Sequence, residues 1–490
     1  MKRHPFKPYG YEYLNENHPI IESCKMCKER IKKRIEKLNG KNYSEITRTI
    51  TSPIYGEIKI DRITNILIDT CYMQRLRRIK QLSFNEFLFP TANHTRFDHS
   101  LGTYYIACKI VNNKYFKNRL QKINKITFKI AALLHDIGHA PFSHFSDELY
   151  KLIVGSKVPH EERAKNIIWH EFEGEPSCMR WILESIFTKL KDGISKRQFL
   201  RMIAESIRGE DPGEELDKNG IFVLLNGPVD IDKLDYMIRD SYYTGVPFGG
   251  ATDINKICES IFTERRDNEI KICIEYGAIF SIFTLFSARF AAYNSFINHP
   301  LALIAQEMLL RELYEFFKKK DKRLKDKELK KYLRFTDETF ISKLVEENKV
   351  ADSLRKVIFE LRHRLLFKKI LCFIPKDESE WNDFENRRKK EKGWAKKWGL
   401  KESDILIVFV PRKNFFPKEK KKKIEIVFKG KKKREEFSSF FKNRDFSLEG
   451  EVIICCRNKE SIIKNTIISL EKEFKQKRPY KKLIYKRTNK

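Results

Sequence analysis

The residues best suited to chemistry form an adjacent pair, His135 and Asp136, at the end of the apolar run Ala131–Leu134. Burying an imidazole and a carboxylate without partners is costly, so such a pair needs compensation. A hydrogen-bonded arrangement at a helix end would compensate. So would a divalent metal ion, because imidazole nitrogen and carboxylate oxygen are good ligands for such metals. Six of the 11 histidines lie between residues 94 and 160, so imidazole chemistry is concentrated here.

Two further motifs flank this pair, HTRFDHSLG at residues 94–102 and DIDKLDY at residues 230–236. The order of a histidine, a His–Asp pair and a distant aspartate resembles that of the HD-domain metal-dependent phosphohydrolases. In that superfamily the four ligands come from separate helices of one bundle. The resemblance implies that the metal ligands are His99, His135, Asp136 and Asp232. It does not name the ion, because two histidines and two carboxylates suit manganese, iron, zinc or magnesium.

Longer stretches resemble the triphosphohydrolase branch of that superfamily: Gln74–Leu82, Phe89–Gly102 and His135–His144. The similarity covers about residues 52 to 299, half of the chain. Members of this branch cleave deoxynucleoside triphosphates (dNTPs) to deoxynucleoside and inorganic triphosphate. The resemblance implies the same reaction here, by attack of metal hydroxide on the α-phosphate. It also implies a homodimer or homotetramer.

Some relatives bind a nucleotide effector where subunits meet, and a basic cluster here is a candidate for that role. The cluster lies near the catalytic segment and consists of Arg75, Arg77, Arg78 and Lys80. Alternating positions on a helix cannot all face one site, so the spacing by itself is weak support for such an effector site.

Histidines that follow the pair are candidates for proton transfer. His139 lies one helical turn after His135, and Asp147 lies three residues after His144. A carboxylate that holds one ring nitrogen fixes the tautomer of a histidine and raises its basicity. We therefore expect Asp147 to orient His144 as the general acid for the leaving 5′ oxygen. The family also uses a His–Glu pair near the same site, which corresponds here to His160 and Glu161. The predicted catalytic set is therefore His139, His144, Asp147, His160 and Glu161.

The helix predicted around Asp232 carries groups suited to a nucleotide. Tyr236 and Asp240 recur at four-residue spacing and share its face, and Lys233 flanks that face. Arg289 lies in an otherwise apolar helix, where a buried arginine needs an anionic partner such as a terminal phosphate. The resemblance implies that Gln81 and Leu82 approach the sugar and that Arg96 faces the phosphates or the base. The predicted substrate-binding residues are Gln81, Leu82, Arg96, Lys233, Tyr236, Asp240 and Arg289.

One position departs from the family pattern. Relatives place a tyrosine against the sugar eight residues after the arginine that corresponds to Arg289, and this chain has Ile297. The sequence therefore leaves open whether the sugar must lack its 2′ hydroxyl. It does not name the preferred base either.

The elements that must position these residues are mostly helices. Apolar residues recur with 3.6-residue spacing in Ile63–Leu82, Thr103–Val111, Phe128–Ile137 and Phe280–Phe296. After about residue 305, apolar runs predict strands at Ile405–Phe409, Ile424–Phe428 and Val452–Cys455. The predicted fold is mainly α, an HD-domain helical bundle with a smaller basic α+β C-terminal subdomain. The predicted divisions are a basic N-terminal segment (1–50), a helical catalytic core (51–305), a basic helical extension (306–400) and the α+β subdomain (401–490).

Composition excludes several classes of protein. Apolar residues make up 41% of the chain, which is typical of a folded globular protein. No apolar segment follows the basic Met1–Pro5, so no secretory signal is predicted. The ten cysteines are scattered, which argues against a disulfide framework. We therefore expect a soluble cytoplasmic protein with no membrane partner.

The charge is uneven. The net charge is +32, and residues 301–490 carry +24 of it. Such an excess attracts polyanions, including nucleic acid, although a lysine-rich solvated surface would give the same count. Three functions therefore remain open: a dNTP triphosphohydrolase, an HD-type nuclease or phosphodiesterase acting on single-stranded nucleic acid, and a non-catalytic nucleotide- or nucleic-acid-binding protein.

Overall fold

The computed structural model describes most of the chain. The described residues are 19–39, 42–155, 158–169, 171–172, 175–266, 269–319, 329, 332, 334–346, 351–414, 424–428, 434–441, 447–457, 460–477 and 480–486. Helices predominate among them, and the predicted class, mainly α with a smaller α+β C-terminal part, is confirmed. Within the same residues, no helix is both long enough and apolar enough to cross a bilayer.

The helices up to residue 318 include those of the predicted catalytic bundle. They are α1 (Pro19–Glu36), α2 (Arg62–Ile68), α3 (Cys71–Leu76), α4 (Arg96–Val111), α5 (Lys122–Leu134), α6 (His144–Val154), α7 (His160–Trp169), α8 (Cys178–Leu190), α9 (Lys196–Ile207), α10 (Ile231–Thr244), α11 (Ile254–Ser260), α12 (Ile279–Ala292) and α13 (Pro300–Lys318). The helices after them are α14 (Asp337–Glu346), α15 (Asp352–Arg362), α16 (Ser379–Asn382), α17 (Phe384–Lys397) and α18 (Glu460–Lys477).

The strands form small sheets. They are β1 (Ile46–Ser52), β2 (Gly56–Asp61), β3 (Glu171–Phe172), β4 (Glu175–Pro176), β5 (Ile261–Arg266), β6 (Glu269–Glu275), β7 (Lys368–Pro375), β8 (Ile405–Val410), β9 (Lys413–Asn414), β10 (Ile424–Val427), β11 (Arg434–Glu436), β12 (Ser447–Leu448), β13 (Glu451–Cys456) and β14 (Tyr480–Lys486). Among the described residues, two of the sheets have four strands, ordered β11-β10-β6-β5 and β14-β7-β13-β8.

The predicted helical stretch Ile63–Leu82 is divided in the structure. The helix α2 ends at Ile68, and α3 begins after Thr70, whose hydroxyl accepts a hydrogen bond from the Met73 N–H. The extended backbone of Thr70 interrupts the first helix. Its side chain then accepts an N–H of the second helix that a backbone carbonyl would accept in a continuous helix. Apolar spacing continues across this break, so periodicity did not reveal it.

The C-terminal strands are confirmed, but they divide between two sheets. The strands β8 and β13 lie side by side in one sheet, whereas β10 pairs in parallel with β6, with Ile424 opposite Ile272. Ile424 and Ile426 are buried in the core of the catalytic bundle. The boundary predicted at residue 401 places β10 in the same subdomain as β8. In the structure, β10 instead packs with β6 of the helical core. Strand patterns in a sequence identify strands but not their partners.

Two large apolar cores meet beside the candidate site. The first fills the bundle around α4, α5, α9, α10 and α12. The second joins α13, α14 and α15 to the sheet of β8 and β13, and it also includes Ala140 and Phe145 from the catalytic segment. The segment between His139 and His144 therefore contacts both the bundle and the C-terminal half of the chain.

Candidate metal centre and substrate cavity

The four predicted metal ligands converge from three helical segments. Nε2 of His99 lies 3.1 Å from Nε2 of His135 and 2.9 Å from Oδ1 of Asp232. Oδ1 of Asp136 lies 3.3 Å from the His135 Nε2. Ligand atoms around one ion stand about 3 Å apart when each bond to the metal is about 2.1 Å. The donor atoms of His99, His135 and Asp136 form a group that could hold a metal ion, and Asp232 borders it.

The imidazole tautomers test whether a cation fits. Nδ1 of His99 lies 2.7 Å from Asp235 Oδ2, and Nδ1 of His135 lies 2.8 Å from the Ala132 carbonyl oxygen. Each Nδ1 therefore donates its hydrogen to an oxygen, which leaves a lone pair on each Nε2. Two lone pairs that face each other at 3.1 Å repel unless a proton or a metal ion lies between them. The residues present fit a divalent metal.

Capped helices bring these ligands to the centre. The helix α4 starts with a capping box between Thr95 and Asp98, which places His99 in its first turn. Asp230 caps α10 by accepting the Lys233 N–H at 2.8 Å, and Asp232 therefore also lies in a first turn. The fully buried end of α5 carries the His135–Asp136 pair inward.

Burial and charge act in opposite directions on the ligands. Burial disfavours protonation of His99, but its hydrogen bonds with Asp232 and Asp235 raise the pKa of this ring to about 10. Nε2 of His99 therefore holds a proton until a metal ion takes the place of that proton. Burial also opposes ionisation of Asp136, yet His135 and Arg96 hold its pKa well below the usual range. The pKa of Asp232 is likewise lowered by hydrogen bonds with His135 and His99, despite desolvation. Both carboxylates are therefore ionised at neutral pH.

A second cluster of titratable groups adjoins the first. Oδ2 of Asp147 lies 3.4 Å from Nδ1 of His144 and 3.4 Å from Nδ1 of His160. The other oxygen of Asp147 accepts from Arg163 at 2.5 Å. The rings of His139 and His160 stack with centroids 3.8 Å apart. Oε2 of Glu161 approaches the His160 Nδ1 at 3.3 Å, so all five predicted catalytic residues lie in this cluster.

This second cluster suits proton transfer better than metal binding. Its donor atoms are close enough to hold an ion. However, Asp147 already neutralises the Arg163 guanidinium, and stacked rings direct their in-plane lone pairs side by side rather than toward one point. The His144 side chain is 70% exposed, and its ring borders the cavity. The ring is open to the cavity, but the protein atoms that enclose the cavity lower its pKa, and Asp147 opposes that shift.

One cavity of about 330 Å³ unites the two clusters. It is lined by most of the residues predicted to act: Gln81, Leu82, Arg96, His135, Asp136, His144, His160, Glu161, Asp232, Lys233, Tyr236, Asp240 and Arg289. Three predicted residues, His99, His139 and Asp147, lie behind this lining and contact it through their hydrogen-bond or ring partners.

Comparison with known proteins identifies the family of this chain. Residues 96–221 match the HD domain, and residues 257–440 match the HD associated region. An uncharacterized protein of Methanocaldococcus jannaschii is 30% identical over 357 residues, which cover 71% of this chain and 67% of that protein. The chain belongs to the HD-domain phosphohydrolases.

Named relatives of this HD-domain chain point to one branch. The deoxynucleoside triphosphate triphosphohydrolase SAMHD1 homolog of Dictyostelium discoideum is 27% identical over 75% of this chain and 69% of its own length. The human deoxynucleoside triphosphate triphosphohydrolase SAMHD1 is 24% identical over 66% of this chain, which spans 54% of the human protein. The SAMHD1-like branch that the motifs resembled is thereby confirmed.

Several predicted substrate contacts of this HD-domain protein have protein partners. Lys233 Nζ donates to the Gly227 carbonyl at 2.8 Å and to the Asp230 carboxylate. Arg96 donates to Asp136 at 2.9 Å and to the Ser143 hydroxyl at 3.0 Å. Both cations line the cavity, and these partners hold their positive charges in fixed positions there.

Asp235 has a role that the sequence showed only in part. Its i, i+4 spacing with Arg239 is typical of a helical salt bridge, and the guanidinium contacts both carboxylate oxygens, at 2.7 and 2.9 Å. The same carboxylate also holds His99 and accepts from the Tyr55 hydroxyl at 2.7 Å. A Cβ at position 102 would lie 1.8 Å from Asp235 Oδ1, which explains Gly102 in the motif.

Two more residues beside the cavity were missed. The sequence marks His94 only as one of the clustered histidines. In the structure its Nε2 lies 2.8 Å from Asp240 Oδ1, so His94 holds that carboxylate in place. Tyr293 lines the cavity one turn before Ile297, in a π-helical turn at Tyr293–Ile297. Its hydroxyl accepts from Lys413 at 2.7 Å. A tyrosine four residues after Arg289 was the available signal for it.

The basic cluster near α3 does not act as one surface. Arg75 is buried, Lys80 pairs with Glu86, and the Arg77 guanidinium lies over the Phe97 ring at 3.6 Å. The Arg78 side chain is exposed and lies 4.0 Å from Glu338. These four residues therefore have four different environments.

Proposed function

We propose that the protein is a metal-dependent dNTP triphosphohydrolase. In the proposed reaction, water attacks the α-phosphorus, the bond between that phosphorus and the 5′ oxygen breaks, and the 5′ oxygen takes up a proton. The products are a deoxynucleoside and inorganic triphosphate. The observation that carries the proposal is that three proposed metal ligands, His144 and the cations Lys233 and Arg289 border one cavity. The fourth ligand, His99, and the carboxylate of Asp147 lie directly behind its lining.

His144 is the proton donor in this proposal. Asp147 faces Nδ1 of the ring, which leaves Nε2 available for the leaving oxygen. Surrounding atoms lower the pKa of this imidazole, and a triphosphate bound beside it would raise that pKa again by its negative charge. When bound at His99, His135, Asp136 and Asp232, a divalent metal supplies a nucleophile at neutral pH and offsets phosphate charge. We propose manganese, iron, zinc or magnesium for that position.

The remaining lining residues bind the nucleotide. Arg289 lies among Tyr236 and Tyr293, and these phenols raise its pKa against the effect of burial, so it stays charged. A guanidinium can bind two phosphate oxygens at once, which suits the end of a triphosphate. Asp240, held by His94, offers a carboxylate oxygen for a sugar hydroxyl. The binding set proposed is Gln81, Leu82, Arg96, Lys233, Tyr236, Asp240 and Arg289.

The products of the purified full chain test the reaction. Each dNTP is incubated with Mn²⁺ or Mg²⁺ in ¹⁸O-labelled water, and products are identified by ³¹P NMR and chromatography. We expect deoxynucleoside and triphosphate in equal amounts, with ¹⁸O in the triphosphate and none in the nucleoside. The His144→Ala variant should lose this activity, whereas His363→Ala, which changes an exposed histidine, should keep it. Release of only monophosphate or pyrophosphate would contradict the proposal.

The charge distribution favours a second candidate, an HD-type nuclease or phosphodiesterase acting on single-stranded nucleic acid. Residues 301–490 carry +24 of the net charge, and such a surface attracts polyanions. Metal-ligand variants inactivate either enzyme, so the substrate decides. Degradation of a single-stranded oligonucleotide by the wild type, and not by His99→Ala, would favour the nuclease. Salt-dependent binding without any turnover would instead support a non-catalytic nucleotide- or nucleic-acid-binding protein.

Assembly and regulation are part of the same proposal. We propose a homodimer or homotetramer, which light scattering of the purified chain measures. We also propose that Arg78 contributes to a nucleotide effector site, because its side chain is 70% exposed near the catalytic segment. Loss of nucleotide activation in Arg78→Ala would support this role, and unchanged kinetics would count against it.

A further inference from the structure

The segment between His139 and His144 contains an unusual turn. Phe142 and Ser143 have φ angles of 58° and 56°. Residues other than glycine rarely adopt positive φ angles. The turn directly precedes α6, whose first residue is His144. Strained backbone of this kind persists only where surrounding contacts impose it. The contacts that impose it here come from a part of the chain almost two hundred residues away.

Asp337, the first residue of α14, holds this turn. Its Oδ1 accepts the Phe142 N–H at 2.7 Å, and its Oδ2 accepts the Lys80 N–H at 2.9 Å. Its own N–H donates to the Arg78 carbonyl at 3.2 Å. The carboxylate is buried, with only 6% of the residue exposed. One side chain therefore ties α14 to the catalytic turn and to the segment that carries Gln81.

Neighbouring groups reinforce the same connection. The Phe142 ring stacks on Phe84 with centroids 5.0 Å apart and meets Phe340 of α14 edge-on at 6.0 Å. The buried Arg75 donates to the His139 carbonyl at 2.7 Å and to the carbonyls of Arg334 and Phe335, each at 2.9 Å. Both ends of the catalytic segment are thus fastened to residues 334–340.

The turn leads to the metal centre through hydrogen bonds. The Ser143 hydroxyl donates to the Lys80 carbonyl at 2.7 Å and accepts from Arg96 Nε at 3.0 Å. Arg96 in turn donates to Asp136, a proposed metal ligand, at 2.9 Å. A change in the turn would therefore move both His144 and the guanidinium that orients Asp136.

We propose that Asp337 is a positioning residue for catalysis, which fixes the left-handed turn at Phe142–Ser143 and through it His144 and Arg96. In this way the C-terminal half of the chain completes a site whose metal ligands and proton donor all lie before residue 240. The role in turnover rests on the proposed triphosphohydrolase activity, whereas the role in fixing the turn does not.

The test compares Asp337→Asn with Glu338→Gln in the full chain. An amide has a single oxygen, so in Asp337→Asn one of the two N–H groups would face an NH₂ group. Glu338 is the next residue of α14 and its side chain is 85% exposed, so Glu338→Gln changes charge equally without touching the turn. Steady-state kinetics, Mn²⁺ titration and hydrogen exchange of a peptide covering residues 140–146 are measured for both variants.

We expect kcat to fall about tenfold to a hundredfold in Asp337→Asn, because small displacements of a catalytic group carry losses of that order. The KM should change less than about threefold, since the residue does not touch substrate. Hydrogen exchange in 140–146 should accelerate and Mn²⁺ should bind several-fold more weakly, whereas Glu338→Gln should match the wild type. Adding Ser143→Ala to Asp337→Asn should cost less than the two single changes together, because both act through the same turn.

Two results would overturn the proposal. One is a lower melting temperature in Asp337→Asn with unchanged kcat and unchanged exchange in 140–146, which would show a merely structural role. The other is an equal effect of Glu338→Gln. If the wild type releases no triphosphate from any dNTP, the proposed function fails, and the exchange and Mn²⁺ measurements still decide the role of Asp337.

Discussion

The two histidine clusters of the site have similar composition but different surroundings. In the metal cluster, His99 and His135 each direct Nδ1 to a fixed oxygen, and Asp235 ties His99 to Arg239 and Tyr55. In the proton-transfer cluster, His144 borders the cavity with a largely exposed side chain and meets one carboxylate at 3.4 Å. The first arrangement holds atoms still, and the second leaves a ring free to exchange a proton. Burial and outer hydrogen bonds, rather than residue type, distinguish the two proposed roles.

Removing a proposed metal ligand should have the largest effect and tests the role of the first cluster directly. We expect Asp232→Asn to lose the bound metal and to lower kcat by about 10⁴-fold or more, because the metal supplies both the nucleophile and charge neutralisation. Metal content by mass spectrometry and product release check this together. An Asp232→Asn variant that keeps both its metal and its activity would remove Asp232 from the ligand set.

Removing the proton donor should have a smaller effect. His144→Ala should lower kcat by about 10²- to 10³-fold, the usual contribution of a positioned general acid, and should keep its metal. A p-nitrophenyl ester of triphosphate has a leaving group that needs no proton. That substrate should restore turnover in His144→Ala but not in Asp232→Asn. Equal losses on both substrates would show that His144 is not the acid.

The outer hydrogen bonds of the metal cluster should come next in magnitude. Asp235→Asn weakens the bond that orients His99, and such changes lower metal affinity about 10- to 100-fold. Tyr55→Phe removes only the hydroxyl that donates to Asp235, so we expect a smaller loss of metal affinity. Calorimetric metal titration ranks the two, and thermal unfolding separates a weakened site from a weakened fold. The reverse ranking would contradict this account of His99.

The smallest expected effect is a shift in the pH profile. The Asp147 carboxylate raises the pKa of His144 against the desolvation that lowers it. Without the carboxylate, as in Asp147→Asn, that pKa falls further, so the protonated acid is lost at a lower pH. The alkaline limb of kcat against pH should therefore move to lower pH. An unmoved limb in Asp147→Asn would assign it to another group.

Much of the candidate site could be predicted because its residues occur in continuous motifs. The stretch from His135 to His144 contains two proposed ligands and two proposed proton-transfer residues, and its apolar run identified the helix that carries them. Local signals failed where a partner is distant in sequence. The spacing of Asp235 indicates only Arg239 as its partner, because its other neighbour, His99, is 136 residues away. No local pattern connects His94 with Asp240, and the position of Tyr293 four residues after Arg289 was the one local signal for that residue.

The sequence by itself indicated the superfamily, the helical class and the proposed donor set, since the motifs behind them are residue types at short, fixed spacing. Only the tertiary structure decided that β10 joins β6, that Lys233 and Arg96 are held by carboxylates, and that Asp337 reaches the catalytic turn. Each of these is a contact across a long loop of chain. Such contacts are selected by how whole elements pack to bury apolar surface and satisfy buried polar groups, and residue spacing does not encode that packing.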